Sequence, residues 1–187
     1  MDVEDYINDL DYMKRKVSEE YPKIGKFMKD TDIIWSDKAS NIPGGVLEFY
    51  PKGESWSPNP SRHVIELYDK NLAGGELKKA IAGDMLHLLG DKDYETGEPY
   101  DPEFYKLKTD FMKTFTPWQV DLDKKVYAAS KIKLNETRSF EDWMWTTRGD
   151  AWIRSRLFPD RNDYWRGSHT IEQQLLLDKM KVYLKSQ

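Results

Sequence analysis

The sequence predicts an α+β fold that is mainly helical, in which a small antiparallel sheet packs on a helix at 75–89. Three features of the chain lead to this prediction. Strand candidates occur only before residue 70. A glycine pair, Gly74-Gly75, then separates the last of them from a helical apolar pattern. Helix-start signals recur through the second half of the chain, which is therefore expected to be helical.

The first portion of the chain, residues 1–90, is expected to contain a long helix followed by strands. Apolar side chains recur at helical spacing through 2–21, and Pro22 indicates that this helix ends just before it. Three short runs are predicted strands: 32–35, 46–50 and 63–68. We expect the last two to pair and form the antiparallel sheet. Loops rich in glycine or proline, at 41–45 and 54–61, separate the three runs.

The predicted helix at 75–89 carries the chain's most chemically suggestive pair, Asp84 and His87. Leu77, Ile81, Asp84 and Leu88 fall at spacings that place them on one face. Asp84 is therefore expected inside an apolar stripe, where an unpaired polar group costs about 2–7 kcal/mol. His87, three residues further on, is the nearest candidate partner. Gly90 follows as a typical C′ residue.

The helix also resembles the active-site helix of the zincin metallopeptidases, which reads His-Glu-x-x-His. The corresponding run here is Gly83-Asp84-Met85-Leu86-His87. His87 matches the second zinc-ligand histidine, Asp84 stands in place of the catalytic glutamate, and Gly83 stands where the first ligand should be. The resemblance covers residues 32–90 and implies a degenerate zincin-like framework, with a small sheet before the helix. Alternatively, Asp84 and His87 simply hydrogen-bond to each other.

The second portion, residues 91–187, is predicted to be helical and to form one continuous globular unit with the first. A polar linker is expected at 91–101. Helix starts are predicted at Asp101-Pro102, Thr116-Pro117, Ser139 and Thr170, because each combines a capping residue with proline or an acid or amide. The third and fourth of these helices are expected to extend to about residues 158 and 185.

The predicted helix at 139–158 is apolar on two faces. Trp145 and Trp152 share a face that the main stripe of this helix does not need. Such a helix is either buried between layers or presents one face to a partner. Because Trp and Arg are enriched at interfaces, the interface alternative assigns Trp145, Trp152, Arg148 and Arg156 to a protein–protein contact. The last helix also carries surplus apolar residues, so we expect a protein partner or self-association.

Composition excludes several classes of protein. The chain has 187 residues, a net charge of −4 and no Cys. The negative charge disfavours nucleic-acid binding, and the lack of Cys rules out disulfides and thiolate metal sites. No apolar run approaches the ~20 residues of a membrane span, so no membrane association is expected. The acidic N-terminal segment is unlike a signal peptide, which favours a cytoplasmic or virion-associated protein.

The sequence therefore favours a non-catalytic structural or interaction protein without a cofactor. The chain also resembles small phage-encoded virion proteins in its many aromatic residues, its lack of Cys and its lack of a recognisable catalytic motif. The alternative is a metal-dependent hydrolase with an incomplete motif at Asp84 and His87. In that case zinc would be the cofactor, and His87, His63 and His169 would be the candidate ligands.

Overall fold

The computed structural model describes residues 3–36, 47–50, 60–93, 95–158 and 169–187. The fold is α+β and mainly helical, as predicted. The chain forms two compact units, Met1–Leu89 with Val182–Gln187, and Gly90–Lys181. The sequence analysis expects two portions, 1–90 and 91–187, within one continuous globular unit, whereas the two compact units meet after Leu89 and the first also includes Val182–Gln187. The predicted loop at 41–45 and most of that at 54–61 lie outside the described residues.

Helices in the first unit are shorter than predicted at the N-terminal end. A 3-10 helix, Val3–Tyr6, precedes helix α1, Leu10–Glu20. The single helix predicted at 2–21 is divided because Asp9 caps α1: its backbone is extended and its side chain accepts a hydrogen bond from the Tyr12 N–H at 2.8 Å. Helices α2 and α3 follow at Pro22–Met28 and Gly74–Leu89.

The sheet has three strands: β1, Thr31–Trp35; β2, Leu47–Tyr50; and β3, His63–Leu67. Their order is β1-β3-β2. β2 pairs antiparallel with β3, as predicted. The prediction of an entirely antiparallel sheet is nevertheless wrong, because β1 lies parallel to β3 on the other edge.

Arg62 explains why β1 and β3 begin at the same end of the sheet. Its guanidinium lies 3.4 Å from an Asp32 carboxylate oxygen and donates hydrogen bonds to the carbonyls of Lys29 and Thr31. The His63 N–H donates to the Asp30 carbonyl at 3.0 Å. These contacts hold the start of β3 beside the start of β1, which fixes the parallel direction.

The core of the first unit surrounds β3 and α3. Val64, Ile65 and Leu67 of β3 are buried, so both faces of this central strand are covered. In α3, the predicted stripe residues Leu77, Ile81, Met85 and Leu88 are at most 1% exposed. The sequence analysis expects α3 to pack on the strands. Its closest backbone neighbours are instead the helices α1 and α2.

The second unit contains α4, Pro102–Met112; α5, Pro117–Lys133; α6, Phe140–Met144; and α7, Asp150–Leu157. Helix α8, Ile171–Lys185, belongs to this unit as far as Lys181 and to the first unit from Val182 onward. The predicted caps at Asp101, Thr116, Ser139 and Thr170 all form. The helix predicted at 139–158 is not continuous, because a π-helical turn, Trp145–Gly149, separates α6 from α7.

Trp145 occupies a space that two glycines leave open. A Cβ atom on Gly90 would lie 2.8 Å from Trp145 Cζ2, and one on Gly149 would lie 3.1 Å from Trp145 Cε3. The sequence analysis takes Gly90 as a typical C′ residue, and residues at that position usually have a left-handed backbone. However, Gly90 is not among the glycines with positive φ, so what its position requires is the absence of a side chain.

Candidate interaction surface

The predicted Asp84–His87 pair lies on the partly open side of α3. Ala80, Asp84 and His87, spaced four and three apart, are all half-buried, whereas Gly83 is buried. Asp84 is therefore not fully buried as the stripe residues Leu77, Ile81 and Leu88 are, and the prediction that it is enclosed within a buried stripe is wrong. Because its burial is partial, the desolvation penalty that would force it to pair with His87 is smaller than full burial would impose.

The three histidines occupy different environments. His63 is 4% exposed within β3, with its ring centroid 6.4 Å from that of Phe27. His87 is half-buried on α3. His169 is exposed, but its Nδ1 accepts a hydrogen bond from Arg156 Nε at 3.3 Å, and its Nε2 bonds to Gln174. Within the described ranges, no group of three or more ligand side chains is placed to hold a metal ion.

We expect the purified protein to contain far less than about one zinc ion per chain, because a mononuclear zinc site needs about three protein ligands and Gly83 supplies none. Elemental analysis after dialysis against a weak chelator measures this directly. His87→Ala should leave the metal content unchanged. A zinc content near one per chain that disappears in His87→Ala would instead support the hydrolase alternative.

The predicted interface residues are largely engaged within their own unit. Trp145 is 2% exposed, so it has almost no surface to offer a partner. Of the two alternatives for this helix, burial between layers is therefore the one that fits Trp145. Trp152 is half-buried, packs edge-on against Phe115 with centroids 6.1 Å apart, and carries the Arg156 guanidinium 3.9 Å from its own ring centroid. Burial lowers the pKa of Arg156 below its ordinary value. Trp152 therefore joins α7 to the segment that follows α4, and Arg156 joins α7 to His169 just before α8.

Arg148 holds helix α5 in place. Its Nε donates to Asp123 Oδ1 at 3.0 Å, and Asp123 is the buried residue of α5. Tyr127, one turn further on, packs its ring 5.5 Å from the rings of both Phe140 and Trp143, and its hydroxyl donates to the Arg138 carbonyl. Helix α5 is thus attached through a polar and aromatic side.

The opposite side of α5 is apolar and faces solvent. Four side chains lie within one 120° sector of the helix: Trp118, Leu122, Val126 and Ile132. They are 72%, 48%, 40% and 83% exposed, respectively. Globular helices ordinarily turn such a sector inward. We call these four residues, with Lys125 and Lys133 in the same sector, the α5 face.

Helix α8 has a smaller exposed apolar area. Ile171, Leu175 and Val182, on one side of the helix, are 82%, 58% and 72% exposed, whereas Leu177, Met180 and Leu184 are buried. An open groove of about 320 Å³ adjoins it, lined by Asp110, Lys113, Glu172, Leu175, Leu176 and Lys179. The surplus apolar residues that the sequence predicts for this helix are therefore partly exposed.

The sequence analysis missed the α5 face, although its signal is present. Trp118, Leu122 and Val126 follow one another at intervals of four residues, which marks one side of a helix. The pattern does not show whether this side of the helix faces the core or the solvent. An apolar stripe on a helix is ordinarily assigned to the core, and only the burial of Asp123 and Tyr127 on the opposite side shows that this stripe faces outward.

No protein-family model, no curated protein and no solved structure matches this chain. Among the described residues, no helix is long and apolar enough to cross a lipid bilayer.

Proposed function

We propose that this protein is a non-catalytic structural or interaction protein that docks onto another protein chain through the α5 face. The observation that carries the proposal is the reversed orientation of α5: its buried side is polar and aromatic, and its apolar side is exposed. Because the chain resembles phage virion proteins, we further propose that it is a subunit of a larger particle and that this contact joins it to a neighbouring chain.

Physical chemistry supports a docking role for the α5 face. Exposed apolar patches beyond a few hundred Å² are uncommon on monomeric proteins, because water disfavours them and they promote association. Tryptophan is among the residues that contribute most when an interface buries them. Trp118 is the largest exposed side chain of the face, and we assign it the central contact.

The ion pair between Asp123 and Arg148 supports the same role. Asp123 is 6% exposed, so its pairing with Arg148 specifies which side of α5 turns inward. Arg148 itself is 46% exposed, so the pair contributes little net stability, but it gives the buried Asp123 a partner and so favours this orientation of α5. It therefore suits a helix whose apolar side must stay available to a partner.

A photo-crosslinking amino acid placed at position 118 tests the proposal in the organism that produces the protein. We expect a covalent adduct with a protein chain, whether a second copy or another protein, because the face is buried in the assembly. Mass spectrometry of the excised adduct measures the product. Changing Leu122→Ser and Val126→Ser together should strongly reduce the yield, since both side chains flank the proposed contact.

Position 106 is the matched control, because Lys106 is exposed on α4 and carries a charged side chain. A crosslinker there should give little or no defined adduct. If position 118 gives no protein adduct, or only the yield found at position 106, the α5 face does not dock onto a protein and the proposed function is wrong.

A further inference from the structure

We infer that the α5 face binds the N-terminal segment of a second copy of this chain, so that copies associate head to tail. This inference rests on the proposed function and names the partner of the same surface. It depends on two exposed surfaces of opposite charge, each with apolar side chains: the α5 face and the segment Val3–Asp11, which we call the N-terminal ledge.

The α5 face carries a net positive charge among its apolar side chains. Lys125 and Lys133 lie within the apolar sector and Asp121 lies at its edge, and all three are exposed. Asp123 does not offset these lysines at the surface, because it is buried against Arg148. A partner that covers this face must therefore offer apolar groups together with negative charge.

The N-terminal ledge offers that combination. It holds four acids and no basic residue: Glu4, Asp5, Asp9 and Asp11. Val3 and Tyr6 stand among these acids and are 76% and 65% exposed. Acidic and apolar groups thus alternate along a short segment, as lysines and apolar groups do along α5.

The ledge is held in a defined shape before any partner arrives. The Gly74 N–H donates to the Ile7 carbonyl at 2.7 Å, and a Cβ at Gly74 would lie 2.7 Å from the Asp5 Cα. Gly74 also has φ +55°, which favours glycine. The Tyr12 hydroxyl donates to Glu4 at 3.1 Å. A surface fixed in this way loses little conformational entropy on binding.

Charge decides between two ways in which copies could associate. A symmetric contact of α5 with α5 would bring Lys125 and Lys133 of one copy close to the same lysines of the other, and like charges across an interface oppose binding. A contact of α5 with the ledge pairs lysines with acids and covers apolar groups on both sides. Because the two surfaces differ, each copy can bind two neighbours, which is a heterologous contact of the kind that builds rings or filaments.

Sedimentation velocity of the full chain over a wide concentration range tests the inference. We expect the average mass to rise with concentration, and the dissociation constant to rise about tenfold or more between about 0.05 M and 0.5 M salt, because screening weakens the charge pairing. Two variants each lose one surface: Lys125→Glu with Lys133→Glu on α5, and Val3→Ser with Tyr6→Ser on the ledge. Each variant alone should remain monomeric.

An equimolar mixture of the two variants provides the decisive result. Each contributes its one intact surface, so the mixture should form one-to-one dimers and nothing larger. Ile171→Ser with Leu175→Ser on α8 is the matched control and should assemble like the wild type. Circular dichroism should show unchanged helix content in all variants.

Two outcomes would overturn the inference. One is a ledge variant that still dimerises alone, which would mean that α5 binds α5. The other is a wild-type chain that stays monomeric at every concentration. In that case, an adduct with a different protein from position 118 would leave the proposed function intact, whereas the absence of any adduct would remove both.

Discussion

Replacing Ile81 with alanine is expected to lower the free energy of unfolding by about 2–5 kcal/mol. Ile81 is 0% exposed at the centre of α3, between the equally buried Leu77 and Met85. The substitution removes three carbon atoms from a fully buried side chain of α3, the helix whose closest backbone neighbours are α1 and α2. The lost burial of apolar surface and the cavity left behind both contribute to the cost.

Chemical denaturation at a low protein concentration measures this change. Ile171→Ala is the matched control, because it removes the same atoms from a helical side chain that is 82% exposed. The control should cost less than about 0.5 kcal/mol. If Ile81→Ala cost no more than Ile171→Ala, the assignment of Ile81 to the core would be wrong.

Replacing Lys108 with alanine is expected to cost about 2–4 kcal/mol, from the loss of a charged hydrogen bond and of cation–π contacts. Lys108 is 4% exposed, and its Nζ donates to the Gly90 carbonyl at 2.6 Å. The same Nζ lies 4.6 Å from the ring centroid of Trp145 and 4.8 Å from that of Tyr105. The lysine therefore joins α4 to the residue that follows α3 and to the π-helical turn.

Lys106→Ala on the same helix is the control for Lys108→Ala. Lys106 forms an exposed ion pair with Asp110 at 3.2 Å, and such pairs contribute about 0–1 kcal/mol. Lys108→Met separates the charge from the packing, because it keeps a long apolar side chain and removes the donor to Gly90. Equal stability of Lys108→Ala and Lys106→Ala in thermal and chemical unfolding would show that the buried ammonium contributes nothing.

Local signals in the sequence predicted the helix starts of the second unit. Asp101 accepts from the Phe104 N–H at 3.0 Å, and Thr170 and Gln173 exchange both bonds of a capping box. These bonds join residues three positions apart, so their energetics depend on the local sequence alone. The antiparallel pairing of β2 with β3 was predictable for a similar reason, because the two strands are neighbours in sequence.

The candidate site was less predictable than the fold. The sequence identifies Trp145 and Trp152 as surplus aromatic residues, which are either buried between layers or placed at an interface. The structure encloses Trp145 between Gly90 and Gly149, and joins Trp152 to Phe115 and Arg156. Both outcomes depend on residues distant in sequence, whose proximity no spacing rule reveals.

The sequence by itself determined that this chain is mainly helical, where most of its helices begin, and that it carries more apolar side chains than one set of helix faces needs. Only the tertiary structure decided that β1 joins β3 in parallel and that α5 turns Trp118 outward. Arg62 and Arg148 make the long-range contacts that accompany these two choices. Helical periodicity groups side chains onto a face, but the direction of that face depends on which surfaces elsewhere in the chain can cover it.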